Sequence, residues 1–319
     1  MTTIRIRRVT AAFLLTALLV LSVIALSACG AGTGAASPSP SASPSAGPIT
    51  VTDDSGAAVT LAQPATRIVS LAPANTEIAY AIGAGDKMVA GTSYDDYPEE
   101  AKSLPKIGDF ANPSVEKIAS FQPDLILAAG GIQAGLRSKF EKLGVQVYVV
   151  DPTTYEGVMA SITEVGLLAG TSEEAQQVVD TMKQAQADVQ GNVGSLDKAT
   201  TFLEIYSKPL MTAGSGTFID DMITSAGGQN IGAEAGSGFP SFSTEVLVQK
   251  DPVVYIADSG SMSEPGDISK RAGFSELTAV KDGRVYVIAD NLIARPGPRL
   301  AQGLQELAKM IHPEAYAAQ

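Results

Sequence analysis

The chain has 319 residues and carries 34 acidic against 22 basic side chains, a formal net charge of −12 at pH 7. An acidic balance of this size argues against nucleic acid as a partner. A single cysteine excludes an internal disulfide framework, and a single histidine excludes a zinc site built from several histidines.

The N-terminus has the pattern of an export signal. Three basic residues, Arg5, Arg7 and Arg8, precede an uncharged apolar run from Ala11 to Leu26. The run ends in Leu26-Ser27-Ala28-Cys29, which resembles the lipobox of bacterial lipoproteins, whose cysteine becomes the lipidated first residue. We predict a signal peptide over residues 1–28, lipidation of Cys29 and anchoring on the outer face of the cytoplasmic membrane, in a periplasm or facing the exterior. An ordinary cleaved signal peptide and a single membrane helix are the alternatives, although a spanning helix needs about 20 apolar residues and this run is a little short.

Residues 29–48 consist almost entirely of Gly, Ala, Ser and Pro. Such a composition cannot bury enough apolar surface to fold, so it predicts a disordered tether. At roughly 3 Å per residue, the tether could hold a folded domain up to about 60 Å from a membrane surface.

The rest of the chain, roughly 270 residues, is long enough for two lobes, and its sequence repeats. The stretch from Ser114 to Ala128, SVEKIASFQPDLILA, is echoed by STEVLVQKDPVVYIA from Ser243 to Ala257. Each copy alternates apolar strands with amphipathic helices, the pattern of a parallel sheet covered on both faces. We predict an α/β protein with two Rossmann-like lobes, each with a central, mostly parallel sheet, over residues 49–165 and 196–319.

A long helix is predicted between the lobes, in a connecting segment over residues 166–195. Thr171-Ser-Glu-Glu174 has the pattern of a capping box, and an apolar stripe from Ala175 to Val189 follows it at helical spacing. The stripe predicts a helix of about 20 residues, roughly 30 Å long. A single stiff connector of this kind permits only small changes in the angle between the lobes.

The ligand site of such a protein is expected in a cleft, because ligands of open parallel sheets bind beyond the carboxyl ends of the strands. The loops predicted to form the cleft are Ala72–Thr76, Ser93–Pro98 and Gly108–Phe110 from the first lobe, with Gly214–Thr217, Phe239–Phe242 and Ala294–Arg299 from the second.

Three segments, RIVSLAPANTEIAYAIG, SYDDYPEEA and SVEKIASFQPDLILA, resemble the periplasmic substrate-binding proteins whose two lobes are joined by one long helix. The likeness is greatest to the cobalamin-binding members and covers Thr66 to Pro313. It implies a non-enzymatic, monomeric receptor without a cofactor of its own, which delivers cobalamin to the permease of an ABC importer. A ferric siderophore or haem is the alternative ligand.

The resemblance also implies roles for individual residues. Glu116 and Glu245, at matched positions of the repeat, are expected to dock onto the permease. Acidic residues in a first helical turn also stabilise the helix by about 0.3–1 kcal/mol, and both roles can hold at once. The residues expected to contact the ligand are Pro73, Ala74, Asn75, Tyr94, Tyr97, Phe110, Ser215, Phe239, Phe242, Arg295 and Arg299.

Phe110 and Phe239, one from each lobe, are expected to grip a flat macrocycle, with core packing as the alternative. Cobalamin binders of this family often have Trp here, and this chain has no Trp. Tyr94 and Tyr97 could hydrogen-bond ligand amides or belong to a solvated turn, and Tyr94 could ligate haem iron.

Arg295 and Arg299 are expected to meet anionic ligand groups or to pair with a carboxylate of their own lobe. A different function class, a surface-anchored hydrolase, would use Asp95 and Asp96 as acid and base. Adjacent loop residues point apart and make a poor pair, and the sequence has no GxSxG or GxxxxGK[ST] motif. No metal-binding residues are predicted.

Overall fold

The computed structural model describes residues 47–131, 133–260 and 266–317. The predicted signal peptide, the predicted lipidation site Cys29 and all but the last two residues of the predicted tether lie outside these residues. Within the described part of the chain, no helix has the length and apolar character needed to cross a bilayer.

The first lobe begins with an antiparallel hairpin and continues as an α/β unit. Its sheet has the order β4-β3-β5-β6, and every pairing in it is parallel. The elements are β1 (Ile49–Thr52), β2 (Ala58–Leu61), β3 (Ile68–Ser70), α1 (Pro73–Ala81), β4 (Met88–Ala90), α2 (Val115–Ser120), β5 (Leu125–Ala129), α3 (Arg137–Glu141), β6 (Gln146–Val150) and α4 (Tyr155–Ala169).

The second lobe repeats the arrangement with one antiparallel addition. Strands follow the order β11-β10-β7-β8, β9 also pairs with β7, and only the β7–β8 pairing within this sheet is antiparallel. The elements are β7 (Ala199–Ser207), β8 (Leu210–Thr212), α6 (Phe218–Ser225), β9 (Gly228–Asn230), α7 (Thr244–Lys250), β10 (Val254–Ser259), α8 (Thr278–Lys281), β11 (Val285–Ala289), α9 (Asp290–Ile293) and α10 (Leu300–Ile311). The predicted fold class is confirmed.

The connecting helix α5 spans Ser172–Val193, 22 residues or about 33 Å. It begins later than the start of the predicted connecting segment because Gly170, with φ of 69°, ends α4 in a left-handed turn. The predicted capping box is wrong: Thr171 precedes the helix, but its hydroxyl group is buried and has no hydrogen-bond partner in the described ranges.

Helix α5 packs between α4 of the first lobe and α10 of the second. Its buried apolar side chains, among them Val179, Met182 and Val189, belong to one hydrophobic cluster that includes residues of both sheets. Tyr155 at the start of α4 contacts both α5 and α6. Its hydroxyl group donates to the Met182 carbonyl at 3.0 Å, and its N–H donates to Asp221 of α6 at 2.8 Å. The lobes therefore share a core as well as a connecting helix.

The sequence repeat corresponds to a structural repeat. Ser114 Oγ accepts a hydrogen bond from the Lys117 N–H at 3.3 Å and caps α2, while Ser243 Oγ accepts from the Glu245 N–H at 3.2 Å and caps α7. Each helix is followed by a left-handed residue directly before a proline, Gln122 with φ of 48° and Asp251 with φ of 44°. These are the two non-glycine residues with positive φ in the described ranges. Each module then leads into a central strand of its sheet, β5 or β10.

Candidate ligand-binding cleft

A cavity of about 680 Å³ lies between the two lobes. The first lobe contributes Pro73, Ser93, Tyr94, Asp96, Asp109, Phe110 and Ala111 to its wall, and the second contributes Asp290, Ala294 and Arg295. These residues follow the carboxyl ends of parallel strands, β3 and β4 in one lobe and β11 in the other. Both the volume and the position are typical of small-molecule sites in α/β proteins.

Two aromatic side chains are exposed on this wall. Tyr94 is 52% exposed and Phe110 is 43% exposed, so both present ring surface to the cavity. The loop that carries Phe110 is held by the buried Gln133, whose Nε2 donates to the Phe110 and Leu71 carbonyls, each at 2.7 Å. Gln133 Oε1 in turn accepts from the Ala129 N–H at the end of β5, also at 2.7 Å. One buried amide therefore connects the Phe110 loop to β5 and to the loop before α1.

The loop that carries Tyr94 is built around the buried carboxylate of Asp95. It accepts hydrogen bonds from the Thr92 N–H at 2.9 Å, from Thr92 Oγ1 at 2.6 Å and from Thr76 Oγ1 of α1 at 2.8 Å. The carboxylate also requires glycine at position 91, because a Cβ there would overlap it. Asp95 is therefore a structural residue that orients its neighbour Tyr94.

Arg295 crosses the cleft to the first lobe. Its Nη1 donates to Glu77 Oε1 at 2.9 Å and to Asp96 Oδ1 at 2.6 Å, and its Nη2 approaches Asp96 Oδ2 at 3.3 Å. These hydrogen bonds hold the pKa of the Asp96 carboxyl below its usual value. Burial alone would lower the pKa of Arg295, but its bonds to Asp96 and Glu77 outweigh burial and raise it. Both groups are ionised at neutral pH.

The contacts of Arg295 with Glu77 and Asp96 form an interlobe bridge, and Arg299 adds to it. Arg299 donates to both carboxylate oxygens of Glu77, from Nε at 2.7 Å and from Nη2 at 2.6 Å. Its guanidinium carbon also lies 4.4 Å from the centre of the Tyr97 ring. Glu77 is only 3% exposed, so both arginines neutralise a carboxylate that the two lobes bury together.

The comparisons with known proteins agree with this geometry. A family model described as periplasmic binding protein matches residues 68–292. The chain belongs to the periplasmic binding protein family. Its members are substrate-binding proteins of ABC transporters, which bind small molecules, work with membrane permease components and are not enzymes. The predicted family and the prediction of a non-enzymatic protein are confirmed.

Three relatives illustrate the range of this family. An uncharacterized ABC transporter substrate-binding lipoprotein of Bacillus subtilis, YvrC, is 33% identical over 94% of this chain and 97% of its own. The structure of the periplasmic vitamin B12 binding protein BtuF of Vibrio cholerae is 30% identical, with a TM-score of 0.71 over 80% of this chain and 99% of that one. The periplasmic heme-binding protein RhuT of Roseiflexus is 26% identical, with a TM-score of 0.69 over 78% and 98%. An exported, extracytoplasmic location follows for this periplasmic binding protein.

The structure brings together part of the predicted ligand set. Pro73, Tyr94, Phe110 and Arg295 line the cavity of this periplasmic binding protein. Tyr97 is not part of the cavity wall; its half-exposed ring packs against the guanidinium group of Arg299.

Other predicted contacts lie elsewhere. Ala74 and Asn75 are almost fully buried in α1, and Asn75 Nδ2 has no hydrogen-bond partner within residues 47–131, 133–260 and 266–317. Ser215 and Phe239 belong to a second-lobe loop pair that lies outside the cavity wall, where Ser215 Oγ donates to the Gly236 carbonyl at 3.2 Å.

Two sequence predictions need correction. Phe242 is a core residue of the second lobe, because it is 7% exposed and its ring packs edge-on against Phe202 at 4.9 Å. Arg295 and Arg299 pair with carboxylates of the opposite lobe rather than with one of their own lobe.

Asp95 and Asp96, the residues of the hydrolase alternative, do not form an acid–base pair. The Asp95 carboxylate is buried and fully hydrogen-bonded, whereas that of Asp96 points to an arginine. Within the described ranges, no cluster of three or more His, Cys, Asp or Glu residues could hold a metal ion.

Sequence reasoning missed an acidic pair on the second-lobe side. Asp290 lines the cavity at the start of α9, and Asp258 lies behind it at the end of β10, where its Oδ1 is buried and has no hydrogen-bond partner among the described residues. Burial and the charge of Asp290 raise the pKa of Asp258 to about 7. The repeat held a signal for Asp290 alone, since Asp151 ends the equivalent segment of the first lobe, whereas the position that matches Asp258 is Ala129. Gly130 and Gly260 occupy matching positions, where a Cβ would overlap the carboxyl group of Asp151 or Asp290.

Proposed function

We propose that this protein is a lipid-anchored, monomeric receptor that captures a corrinoid such as cobalamin in the cleft and delivers it to the permease of an ABC importer. The observation that carries the ligand proposal is the cavity wall, where the exposed rings of Tyr94 and Phe110 lie beside the carboxyl groups of Asp96, Asp109 and Asp290. A corrinoid matches this wall, because its macrocycle can lie on aromatic rings while its peripheral amide groups donate hydrogen bonds to carboxylates.

The names of similar proteins support more than one ligand, because one relative is named for vitamin B12 and another for heme. The charge of the cavity wall favours the corrinoid. Haem carries two propionate groups and many ferric siderophores are anionic, so their negative groups would meet the wall carboxylates at a cost in free energy. Cobalamin carries one anionic phosphodiester, but the amide groups that make up most of its periphery are uncharged.

A haem or ferric-siderophore receptor remains the second candidate, and Tyr94 is the observation that favours it. Its side chain is half exposed on the cavity wall, and a tyrosine phenolate is one of the ligands that proteins use for haem iron. A haem absorption band in protein purified from its native host, abolished by Tyr94→Phe, would support haem in place of a corrinoid.

The proposed ligand is tested by calorimetry of the purified protein with cyanocobalamin. We expect a Kd in the micromolar range or below, and we expect Phe110→Ala to weaken binding by about tenfold, the loss of one aromatic contact. Phe239→Ala is the matched control, because Phe239 is 46% exposed but lies outside the cavity wall. Absence of binding heat in the wild type, checked by an independent method, would rule out the corrinoid.

The proposed docking residues are the twin glutamates at the starts of α2 and α7. Glu116 and Glu245 are both exposed in the first turn of their helices, so each is accessible to a basic partner. We expect Glu116→Arg combined with Glu245→Arg to abolish transport and permease association at physiological salt, while ligand affinity changes only a few-fold. The charge-matched control reverses Glu173 and Glu174, which are exposed in the first turn of α5. Normal uptake by the Glu116/Glu245 double variant would refute the docking proposal.

The proposed anchor is a lipid on Cys29. Cell fractionation tests it directly, since Cys29→Ala should move the protein from the membrane fraction to the soluble fraction. Mass spectrometry of the mature N-terminus should then find a diacylglyceryl group in the wild type alone. Retention of the variant on the membrane would argue for a different anchor.

A further inference from the structure

The interlobe bridge, formed by Arg295 and Arg299 with Glu77 and Asp96, borders the cleft. Among the described residues on the cavity wall are three aspartates, Asp96, Asp109 and Asp290, and a single basic side chain, that of Arg295. The guanidinium group is the natural partner for an anionic ligand, because it binds carboxylate and phosphate groups in a two-pronged geometry. Whether the cleft accepts an anion therefore depends on whether this group is free.

Arg295 is already occupied in the structure. Its Nη1 contacts carboxylate oxygens of both Glu77 and Asp96, and the second prong of the fork faces Asp96 as well. The other arginine of the bridge, Arg299, is held by both oxygens of Glu77 and by the ring of Tyr97. Both arginines therefore have carboxylate partners within the protein.

We propose that Asp96 and Glu77 determine the charge selectivity of the cleft by occupying Arg295, so that the wall favours neutral ligands rich in hydrogen-bond donors and rejects anionic ones. This inference rests on the proposed function, because it assumes that the cleft binds the transported ligand. The two carboxylates differ in burial and therefore in their access to a ligand. Glu77 lies between the lobes and is 3% exposed, whereas the Asp96 side chain is 55% exposed at the cavity and is the partner that an incoming anion would have to displace.

The test compares two probes that share a macrocycle and differ in charge. Hemin carries two propionate groups, and hemin dimethyl ester is the same macrocycle without those charges. Absorbance titrations give the affinity of each for the wild type and for Asp96→Asn, which removes the charged partner of Arg295 on the cavity side and leaves a weaker, neutral acceptor in its place. We expect the affinity for hemin to rise by at least about tenfold, the scale of one charge-assisted hydrogen bond, while the affinity for the ester changes by less than about threefold.

Asp109→Asn is the matched control. It also removes a carboxylate from the cavity wall, but the Asp109 side chain accepts from the Asn112 N–H at 2.6 Å in its own loop, so the variant frees no guanidinium group. We expect it to raise the ratio of hemin to ester affinity by no more than about threefold, the effect of one screened charge. Equal ratios in the two variants would overturn the proposal, because net charge alone would then explain selectivity. An unchanged ratio in Asp96→Asn would also overturn it.

Glu77→Gln provides the second variant and should shift the same ratio in the same direction. Because Glu77 is buried between two arginines, its replacement carries a risk to folding, which circular dichroism checks before any titration. If Glu77→Gln does not fold, the result for Asp96→Asn alone tests the proposed charge selectivity. Failure of the proposed function would look different: the wild type would not bind cyanocobalamin, whatever the ratio of hemin to ester affinity in the variants.

Discussion

Replacing Asp258 by Asn should stabilise the protein, and by more at pH 8 than at pH 5. The side chain is 5% exposed at the end of β10, and within the part of the chain that the structure describes its Oδ1 has no hydrogen-bond partner. Burial, followed by the charge of Asp290, raises its pKa from an ordinary 3.8 to about 7. A carboxyl group in this position costs free energy whenever it ionises, and an amide of nearly the same shape cannot ionise.

The sign and the size follow from proton linkage. Because the pKa of Asp258 is higher in the folded state, the folded protein binds more protons between pH 3.8 and about pH 7, and its free energy of unfolding falls as the pH rises through that window. A shift of about three pKa units corresponds to about 4 kcal/mol, of which roughly 2.6 kcal/mol develops between pH 5 and pH 8. Water in the open cleft screens part of this charge, so we expect about 2 kcal/mol.

Guanidinium denaturation of the ligand-free wild type and of Asp258→Asn, followed by circular dichroism at pH 5, 6, 7 and 8, measures the difference. The free energy of unfolding of the variant should exceed that of the wild type by an amount that grows by about 2 kcal/mol over this range. Parallel pH profiles for the two proteins would refute the reasoning, because they would mean that Asp258 ionises as easily in the folded protein as in the unfolded chain.

Three further predictions concern other parts of the fold. Phe242→Ala should lower the free energy of unfolding by about 3–5 kcal/mol, because it empties a core site, while the Kd for ligand stays within a few-fold in calorimetry. Ser114→Ala and Ser243→Ala should each cost about 1 kcal/mol in denaturation experiments by removing a helix cap, and their effects should add because they lie in different lobes. Gly260→Ala should weaken ligand binding, measured by calorimetry, because the new Cβ displaces the carboxyl group that begins α9 from the cavity wall; unchanged affinity would exclude that group from binding.

Local sequence patterns predicted the elements that local interactions determine. The repeat around Ser114 and Ser243 predicted two equivalent modules, because a helix cap, a left-handed turn and a proline act within about ten residues of one another. The apolar stripe likewise predicted α5. The Thr171–Glu174 pattern lies at the start of α5, but the connecting segment was given a lower bound at residue 166, which lies inside α4. Gly166 and Gly170 look alike in sequence, and only the left-handed conformation of Gly170 ends α4.

The composition of the site depends on contacts that span much of the chain. Arg295 and Glu77 are 218 positions apart, and the docking of the two lobes rather than any local pattern makes them partners. Phe242 and Phe239 lie in the same loop, yet one packs against Phe202 of β7 and the other is exposed. An aromatic loop residue gives no local signal that separates these outcomes. Of the five predicted second-lobe contacts, only Arg295 lines the cavity.

The shared hydrophobic cluster along α5 determines how the protein unfolds. Its members include Val158 of the first lobe, Met182 of the connecting helix and Leu203 of the second lobe, so neither lobe can lose its interior without exposing that of the other. Calorimetric melting should therefore show one heat-absorption peak rather than two. A chain divided within this helix would yield two fragments that each lack part of a common interior and that regain structure only when mixed.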